Sequence, residues 1–544
     1  MTYKTAYETW LNEPSLTQKE VDTLRQMSEK EIEDSFYQEL SFGTGGIRGL
    51  MGLGPNRINI YTIRKVTLGL AKYLLTHQKL NGVAIAYDNR FGSKEFAHEA
   101  AKVLASNGIK SYIYKELRPT PMLSFLVRHF KTSAGIMLTA SHNPKEYNGF
   151  KAYNETGAQL NTIESEMVVK KINTVFSPFN ISAVDNELIH WVGDEIDEIY
   201  LNEVKKLSIH KDQKDLKLVY SPLHGTGGPV IPKLLRSEGY EVIEVSEQMV
   251  VDPAFSATKS SNPEEALSYE KGIEVALEHD ADLVFVTDPD ADRLGVGVKS
   301  HGKFKLLTGN QTASIIIYYL LSEKKWPKGF VYTTVVTTNL IKEIAKAYDQ
   351  NIGETLTGFK FIGEQAHKIE GKEAYIFGCE ESYGSLIKDF VRDKDAVQAV
   401  YMLAEIGNTL KHQGMTLIDY LEVIYKRFGY YVESTMNISL KGIEGAKKIQ
   451  TIMSYFRKNG LHIEGFKVNN SIDYIHGHKN PHDITLPPSD VLKYEHNDGF
   501  IVFRPSGTEP KLKVYFSTKK DSLEKANSYV DALKNKVSQI IDTL

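Results

Sequence analysis

The chain has one cysteine, Cys379, among 544 residues. A lone cysteine excludes an internal disulfide framework and any cysteine-rich zinc site. It suits a reducing compartment, so a cytoplasmic location is expected. Long apolar runs are also missing: none approaches the roughly 18 residues of a membrane-crossing helix. The N-terminal stretch MTYKTAYETWLNEPSLTQKEV is polar and reads as a short amphipathic helix. It has neither the apolar centre nor the small-residue cleavage site of a signal peptide. No charge of one sign dominates: the formal net charge is −4, spread without long runs. That argues against a nucleic-acid partner, which requires a basic patch. Low-complexity segments and short repeats are absent too. So are a G-x-S-x-G nucleophile elbow and a G-x-x-x-x-G-K-[ST] phosphate loop.

What remains is an ordinary globular composition, 41% hydrophobic and 25% charged, long enough for about three or four domains. Strand-like runs alternate with helix-like stretches up to Phe428. GVAIAYD precedes SKEFAHEAAKVLASNG, LKLVYSPLHGTGG precedes PVIPKLLRSEG, and ADLVFVTD follows YEKGIEVALEHD. This alternation predicts α/β layers around substantially parallel sheets. After Phe428 the pattern changes to an alternating strand, a helix, a hairpin over DGFIVFRPSGTEPKLKVYFST and a final helix. An α+β C-terminal module is expected there. The boundaries read as 1–207, 208–305, 306–428 and 429–544.

Four polar loops follow apolar strands, where open α/β sheets bind ligands. In LTASHNPKEYNGFK, Leu138 to Lys151, Ser141 sits between Ala140 and His142. By itself it reads as a serine in a turn, with Asn143-Pro144 and Asn148-Gly149 as turn formers. Adjacent side chains do not ordinarily form a Ser–His couple, so His142 is not expected to activate it. In VTDPDADRLG, Asp288, Asp290 and Asp292 alternate; in extended backbone they would point the same way. Three converging carboxylates repel each other unless a cation sits between them, and all-oxygen ligation suits Mg²⁺ or Ca²⁺; a solvated acidic turn is the alternative. An EF-hand is disfavoured by Arg293 and Lys299 at its sixth and twelfth positions. Arg293 beside the metal suggests a phosphoryl ligand.

FGCEESYG places Glu380, Glu381 and Ser382 after a strand, acceptors and a hydroxyl suited to a polyol; a capped helix start is the plainer alternative. RDKDAV follows from Arg392. In FRPSGTEPK, Arg504 can fork onto a phosphate, Ser506 and Thr508 offer hydroxyls, and the backbone at Gly507 can form an anion nest; taken alone the motif reads more readily as a turn. FGTGGIRG, LHGTGG, TGFKFIG and YDNRFGS place Arg48, His224, Lys360 and Arg90 on loops; each alone reads better as a structural turn, and all the loops together describe several domains with a metal, a serine and multiple phosphate grips.

In this order and spacing the loops resemble those of the α-D-phosphohexomutase family over nearly the whole chain. TASHNPKEYNGFK resembles its active-serine loop, DPDADR its metal loop, GCEESYG its sugar loop and RPSGTEPK its phosphate loop. FGTGGIRG, TGFKFIG, CEESYG and RDKDAV are most similar to the bacterial phosphoglucomutase branch related to type 2 enzymes; Tyr383 stands where glycine often follows the serine. The resemblance implies a heart-shaped four-domain fold, three α/β domains with mixed sheets and a C-terminal α+β domain. It implies phosphorylation of Ser141, and one Mg²⁺ held by Asp288, Asp290, Asp292 and the phosphorylated Ser141. It places Glu380 and Ser382 on sugar hydroxyls, with Lys360 as a further substrate contact. Arg504, Ser506, Gly507 and Thr508 would hold the non-reacting phosphate. Arg48, His142, Lys151 and Arg293 would surround the transferring group, with Lys151 the first general acid/base candidate and His142 the second. The activity implied is interconversion of glucose 1-phosphate and glucose 6-phosphate through glucose 1,6-bisphosphate, in a monomer or weak dimer without nucleic-acid or membrane partners. Other sugar phosphates, bisphosphate synthesis, a sugar-phosphate sensor and a haloacid-dehalogenase-like phosphatase with Asp288 as nucleophile are the competing readings.

Overall fold

The computed structural model describes residues 2–43, 45–440, 442–506 and 510–544. The chain forms two compact units, one of residues 1–307 with 366–368 and 384–411, the other of 308–365, 369–383 and 412–544. No helix among the described residues is long and apolar enough to cross a membrane.

The first unit opens with three short helices, Tyr3–Leu11, Gln18–Gln26 and Glu29–Phe36. Capping boxes at Thr17/Glu20 and Ser28/Glu31 start the second and third, satisfying amide groups that would otherwise lack partners. They pack around Trp10, Leu24, Phe36, Tyr61 and Phe179. A six-stranded sheet follows, built from β1 (Gly46–Leu50), β2 (Val83–Tyr87), β3 (Ser111–Tyr114), β4 (Ala134–Leu138), β5 (Tyr147–Asn154) and β6 (Ile189–Val192). Its order is β1-β5-β4-β2-β3-β6. The β4-β2-β3-β6 run is parallel, and β5 is antiparallel to both β4 and β1. β2 and β4 are buried along their whole length, which explains their unbroken apolar sequences. The helix Ile60–Thr76 covers the sheet; Asn59 caps it and Ile63, Val66, Leu70 and Leu74 recur on its buried face. Such side chains contribute about 1.5–3 kcal/mol each when fully buried.

A second sheet has the order β11-β10-β9-β7-β8. Its strands are β7 (Lys217–Ser221), β8 (Glu241–Glu244), β9 (Leu283–Thr287), β10 (Leu294–Ser300) and β11 (Lys303–Leu307). β9-β7-β8 is parallel, while β10 and β11 add antiparallel edges. Both sheets are therefore mixed. The segment 384–411 carries a short strand and most of the helix Ala396–His412.

In the second unit β12 (Gly329–Thr334) lies between β13 (Asn351–Thr355) and β14 (Ala374–Cys379), all parallel. After Phe428, where an α+β module is expected, a five-stranded antiparallel sheet forms. From one edge to the other its strands are Tyr430–Ser439, Lys511–Lys520, Gly499–Pro505, Leu492–His496 and Asn470–Asp473. The helices Gly442–Asn459 and Leu523–Asp542 close its core around Ile452, Phe456, Phe503, Val514, Val530 and Leu533.

Candidate active site

Within the first unit, the carboxyl ends of β2, β4, β7 and β9 release the loops of Arg90, Ser141, His224 and Asp288. This is the edge at which α/β sheets bind ligands. Ser141 is 3% exposed and has φ 54°, a left-handed conformation that a non-glycine residue adopts only when its surroundings impose it. Its amide donates to Thr139 Oγ1 at 2.8 Å, and its own Oγ donates to Asp288 Oδ2 at 3.0 Å. His142 Nδ1 stands 3.3 Å from the same Oγ, although adjacent side chains do not ordinarily form a Ser–His couple. The left-handed turn at Ser141 brings them to one side.

Asn148-Gly149 is not a turn. Both residues lie in β5, paired with Gly49 and Arg48. A Cβ on Gly149 would come within 2.6 Å of the Thr139 carbonyl and 2.7 Å of that of Ile47, so the glycine is required by backbone on both sides rather than by a turn. This strand pairing brings Arg48 and Lys151 to the serine loop, where Arg48 Nη1 donates to Asn143 Oδ1 at 2.9 Å.

Asp288, Asp290 and Asp292 do converge, but not through extended backbone. They occupy the hairpin loop between β9 and β10, where Ala291 turns left-handed at φ 49° and its amide donates to the Asp288 carbonyl. Asp288 Oδ1 accepts the amides of Asp292 and Arg293 at 3.1 and 3.0 Å. The three carboxylates are buried, each with an oxygen within 4.8 Å of the others'. Asp290 Oδ1 and Asp292 Oδ1 are buried without a hydrogen-bond partner among the described residues. Such oxygens are costly unless a cation uses them. Hard carboxylate oxygens in a set of three fit a hard divalent ion.

Three cations flank the cluster. Lys151 Nζ is 2.7 Å from Asp290 Oδ2 and 3.6 Å from Asp292 Oδ2. Lys394 Nζ is 3.2 Å from Asp292 Oδ2, and Arg293 Nε 3.9 Å from Asp292 Oδ1. Burial alone would raise Asp290, but the Lys151 ammonium overrides it and holds that carboxyl well below the usual range. Asp288 is pushed well above its ordinary value by burial and by its two carboxylate neighbours. Burial opposes the charge on Lys151, yet Asp290 and Asp292 raise its pKa overall. His142 falls far below the usual imidazole value through burial and the nearby Arg293 and Arg48 charges, so it is neutral at physiological pH.

Several participants were not legible in the sequence. Thr120, at the start of the helix Thr120–Phe130, donates Oγ1 to Asp290 Oδ2 at 2.9 Å. Glu264 accepts from Arg293 Nη1 at 2.8 Å. Lys394, from RDKDAV, is gripped by Asp393 at 3.2 Å, and Asp393 in turn accepts from Tyr153 at 2.8 Å. Only RDKDAV carried a signal. Arg90 and His224, placed on loops by the sequence, serve the surrounding backbone. His224 Nδ1 lies 2.8 Å from the Val250 carbonyl, and its Nε2 accepts the Ala257 amide. Gly225 lies directly under the metal loop: its Cβ would meet Pro289 Cα at 2.4 Å. LHGTGG is thus a structural turn that supports DPDADR. A cavity of about 680 Å³ opens beside the serine loop, lined by His142, Asn143, Lys145, Ser256, Thr258 and Ser261 among others.

In the second unit, Glu380 and Ser382 follow β14, and Glu380 Oε1 accepts the Gly358 amide at 2.7 Å. This ties the CEESYG loop to TGFKFIG, whose Lys360 is buried in the first turn of the helix Phe359–Ile369. Burial lowers Lys360 to about 8. Burial and the Glu380 charge push Glu381 up to about 7, opposed in part by Arg504. The loop backbone lies flat on Gly309, whose Cβ would meet the Glu381 carbonyl at 2.4 Å. Arg504 Nη1 donates to Tyr515 OH at 3.4 Å, and the Ser506 amide to the Lys511 carbonyl at 2.8 Å. Gly507 and Thr508 lie outside the described residues. A cavity of about 480 Å³ lined by Lys342, Glu354, Asn480 and His482, among others, includes none of the expected site residues.

Comparison with known proteins covers most of the chain. Residues 39–178, 198–302 and 308–428 match alpha/beta/alpha domains I, II and III described for phosphoglucomutase/phosphomannomutase, and 459–536 match its C-terminal domain. A phosphoglucomutase of Staphylococcus haemolyticus is 40% identical over 510 residues, 91% of this chain and 93% of the relative. One of Staphylococcus aureus is 38% identical over 522 residues, 93% of this chain and 95% of the relative. In fold, the chain is similar to the crystal structure of pp63/parafusin, a phosphoglucomutase of Paramecium, with a TM-score of 0.72 at 18% identity, covering 93% and 96% of the two chains.

Proposed function

The chain belongs to the phosphoglucomutase/phosphomannomutase family of α-D-phosphohexomutases, and from that premise we propose how its residues interconvert glucose 1-phosphate and glucose 6-phosphate. The observation that carries the proposal is the contact of Ser141 Oγ with Asp288 Oδ2, 3.0 Å apart, in a serine loop held left-handed beside three buried aspartates.

Phosphorylated Ser141 donates its phosphoryl group to the free hydroxyl of the bound sugar phosphate, giving glucose 1,6-bisphosphate. The bisphosphate turns end for end and returns its other phosphoryl group to Ser141. Asp288, Asp290 and Asp292, with an oxygen of the phosphorylated serine, would hold one Mg²⁺. That ion supplies charge neutralisation at the transferring phosphoryl group. Arg48 and Arg293 add fixed positive charge around the same oxygens. Lys151, kept protonated by Asp290 and Asp292, donates its proton to the oxygen that loses its phosphoryl group and, as the amine so formed, takes the proton of the attacking hydroxyl, so each transfer leaves it protonated again. Neutral His142 orients the serine. Glu380, Ser382 and Lys360 recognise the sugar in both orientations; Arg504, Ser506, Gly507 and Thr508 hold the phosphate that is not reacting. The unpartnered Oδ1 atoms of Asp290 and Asp292, beside the serine-bound Asp288, support the metal assignment, and the tie between Glu380 and Gly358 supports a single sugar-recognition surface.

On this reading the chain divides at 207/208, 305/306 and 428/429, although the second matched stretch begins upstream, at 198. The single buried cysteine supports a cytoplasmic enzyme. The test is Ser141→Ala in a coupled glucose-6-phosphate assay with Mg²⁺ and glucose 1,6-bisphosphate: turnover is expected to vanish. A near-normal rate, or acid-labile phosphate on Asp288 in the wild type, refutes the proposal. Comparing kcat/KM for glucose, mannose and ribose 1-phosphates decides the sugar.

A further inference from the structure

We infer that Arg90 is a positioning residue for phosphoryl transfer, the buried clamp that forces the Ser141 loop into its left-handed shape. The inference rests on the phosphoserine reading above and extends it. Arg90 lies two residues beyond Asp88, at the end of β2. Its Nη2 donates to the carbonyls of Ser141 and Asn143, each at 2.5 Å. Its Nη1 donates to those of Pro144 and Tyr147 at 2.8 and 3.1 Å. Four carbonyls from one seven-residue stretch therefore end on one guanidinium.

The clamp is itself held from both sides. Arg90 Nε is 3.2 Å from Asp88 Oδ2, and neither side chain is exposed. Asp88 Oδ1 accepts the Ser93 hydroxyl at 2.7 Å and the Arg90 amide at 3.0 Å. The Phe255 ring lies 5.2 Å from the guanidinium carbon. Asn148 pins the far end of the loop, donating to the Phe91 carbonyl and to Ser93 Oγ.

Buried carbonyls need donors. The Pro144 carbonyl also accepts the Tyr147 amide and the Asn143 carbonyl faces Ser261 Oγ at 3.5 Å, while Arg90 supplies the donor to the carbonyl of Ser141 itself. A non-glycine left-handed residue persists only where its surroundings over-determine it. A planar fork of fixed geometry serves four acceptors at once; a lysine ammonium has three donors and no plane. The hydrogen bonds of Arg90 run to the serine loop and its ion pair to Asp88, and a lysine would keep the charge that acts through space on Asp288 and Asp290, so the part of its effect that needs the fork runs through the direction of Ser141 Oγ. A phosphoserine aimed away from the sugar hydroxyl by about 1 Å loses on the order of 10²-fold in rate and meets water instead.

The experiment is Arg90→Lys, which keeps the charge and loses the fork. Expected are a drop in kcat of about 10²-fold, with KM and the Mg²⁺ dissociation constant within threefold of wild type. The share of enzyme-bound phosphate released as inorganic phosphate per turnover should rise at least tenfold, a change that a merely structural role would not produce. A kcat within threefold of wild type, or a lower kcat with an unchanged share lost to water, overturns the inference. If the lysine variant does not accumulate as folded protein, Asp88→Asn is measured instead; it loosens the Nε anchor and leaves the fork. A higher share lost to water supports the clamp, and an unchanged share overturns it. Radiolabelled glucose 1,6-bisphosphate separates the two failures. No label on wild-type Ser141 sinks the phosphoserine reading, whereas normal labelling with normal turnover of the lysine variant sinks only the role of Arg90.

Discussion

Replacing Lys151 by methionine keeps the aliphatic stem and removes one charge from the centre of the acidic cluster. In the wild type its ammonium sits 2.7 Å from Asp290 Oδ2; the two side chains are 12% and 0% exposed. In the variant Asp290 keeps the Thr120 hydroxyl, while Lys394 and Arg293 face Asp292 rather than Asp290. Removing one partner of a buried pair costs about 3–5 kcal/mol, because the other charge is left uncompensated. That figure applies when no metal is bound. A divalent cation among the three carboxylates offsets the lost ammonium, so the deficit should shrink as Mg²⁺ saturates. The assay is urea unfolding of wild type and variant, once in EDTA and once in excess Mg²⁺, comparing the midpoint of the transition that includes the first unit. The expected result is a deficit of about 3–5 kcal/mol in EDTA and at most half of that in Mg²⁺. In the same Mg²⁺ buffer kcat should fall about 10²- to 10⁴-fold, the usual worth of a positioned proton donor. Equal deficits with and without the ion would refute the view that Lys151 and the metal neutralise the same carboxylates. A kcat within tenfold of wild type would remove Lys151 as the proton carrier.

Two further outcomes follow from the same geometry. Gly225→Ala drives a Cβ against Pro289 Cα at 2.4 Å and the Pro289 carbonyl at 2.5 Å; neither backbone atom can rotate away, so a loss of about 1–3 kcal/mol and a weaker Mg²⁺ affinity are expected by calorimetric titration, and unaltered metal binding counts against LHGTGG as the support of the metal loop. Asp395, fully buried, caps the helix Ala396–His412 and accepts the Tyr200 hydroxyl; burial pushes it from 3.8 up to about 6. Because its folded value lies above the unfolded one, its stabilising contribution is complete below about pH 4 and is lost as pH rises through 6. At about 1.4 kcal/mol per pH unit the loss is on the order of 3 kcal/mol, so Asp395→Asn should gain on wild type by that amount between pH 4 and 7. Parallel stability curves would rule out Asp395 as the titrating group.

The elements of the fold were legible because each is written locally. VAIAY and AGIML are strands buried on both faces and carry no polar residue. The helix after Asn59 declares its cap and its apolar face, and the change of period after Phe428 marks an antiparallel sheet. The chemistry-bearing loops were legible for a similar reason: three aspartates in five residues, or a serine flanked by polar turn formers, are conspicuous after an apolar strand. The partners of those loops were not. Thr120 meets Asp290 across 170 positions of chain and Tyr153 meets Asp393 across 240, and nothing in the residues near either one announces the other.

By itself, then, the order of residues determined where the strands end, which loops follow them, and that three carboxylates and a serine stand on those loops. Tertiary structure alone decided how they meet. The aspartates converge through a left-handed turn at Ala291, not through extended alternation. Gly149 is needed by two carbonyls pressing on it in a sheet, not by a turn. Arg90, an ordinary loop cation in one dimension, spends its guanidinium on the backbone of Ser141. The reason is the same in each case. A side chain's chemistry is set by the groups within a few ångströms of it, and here most of those groups arrive from strands distant in sequence.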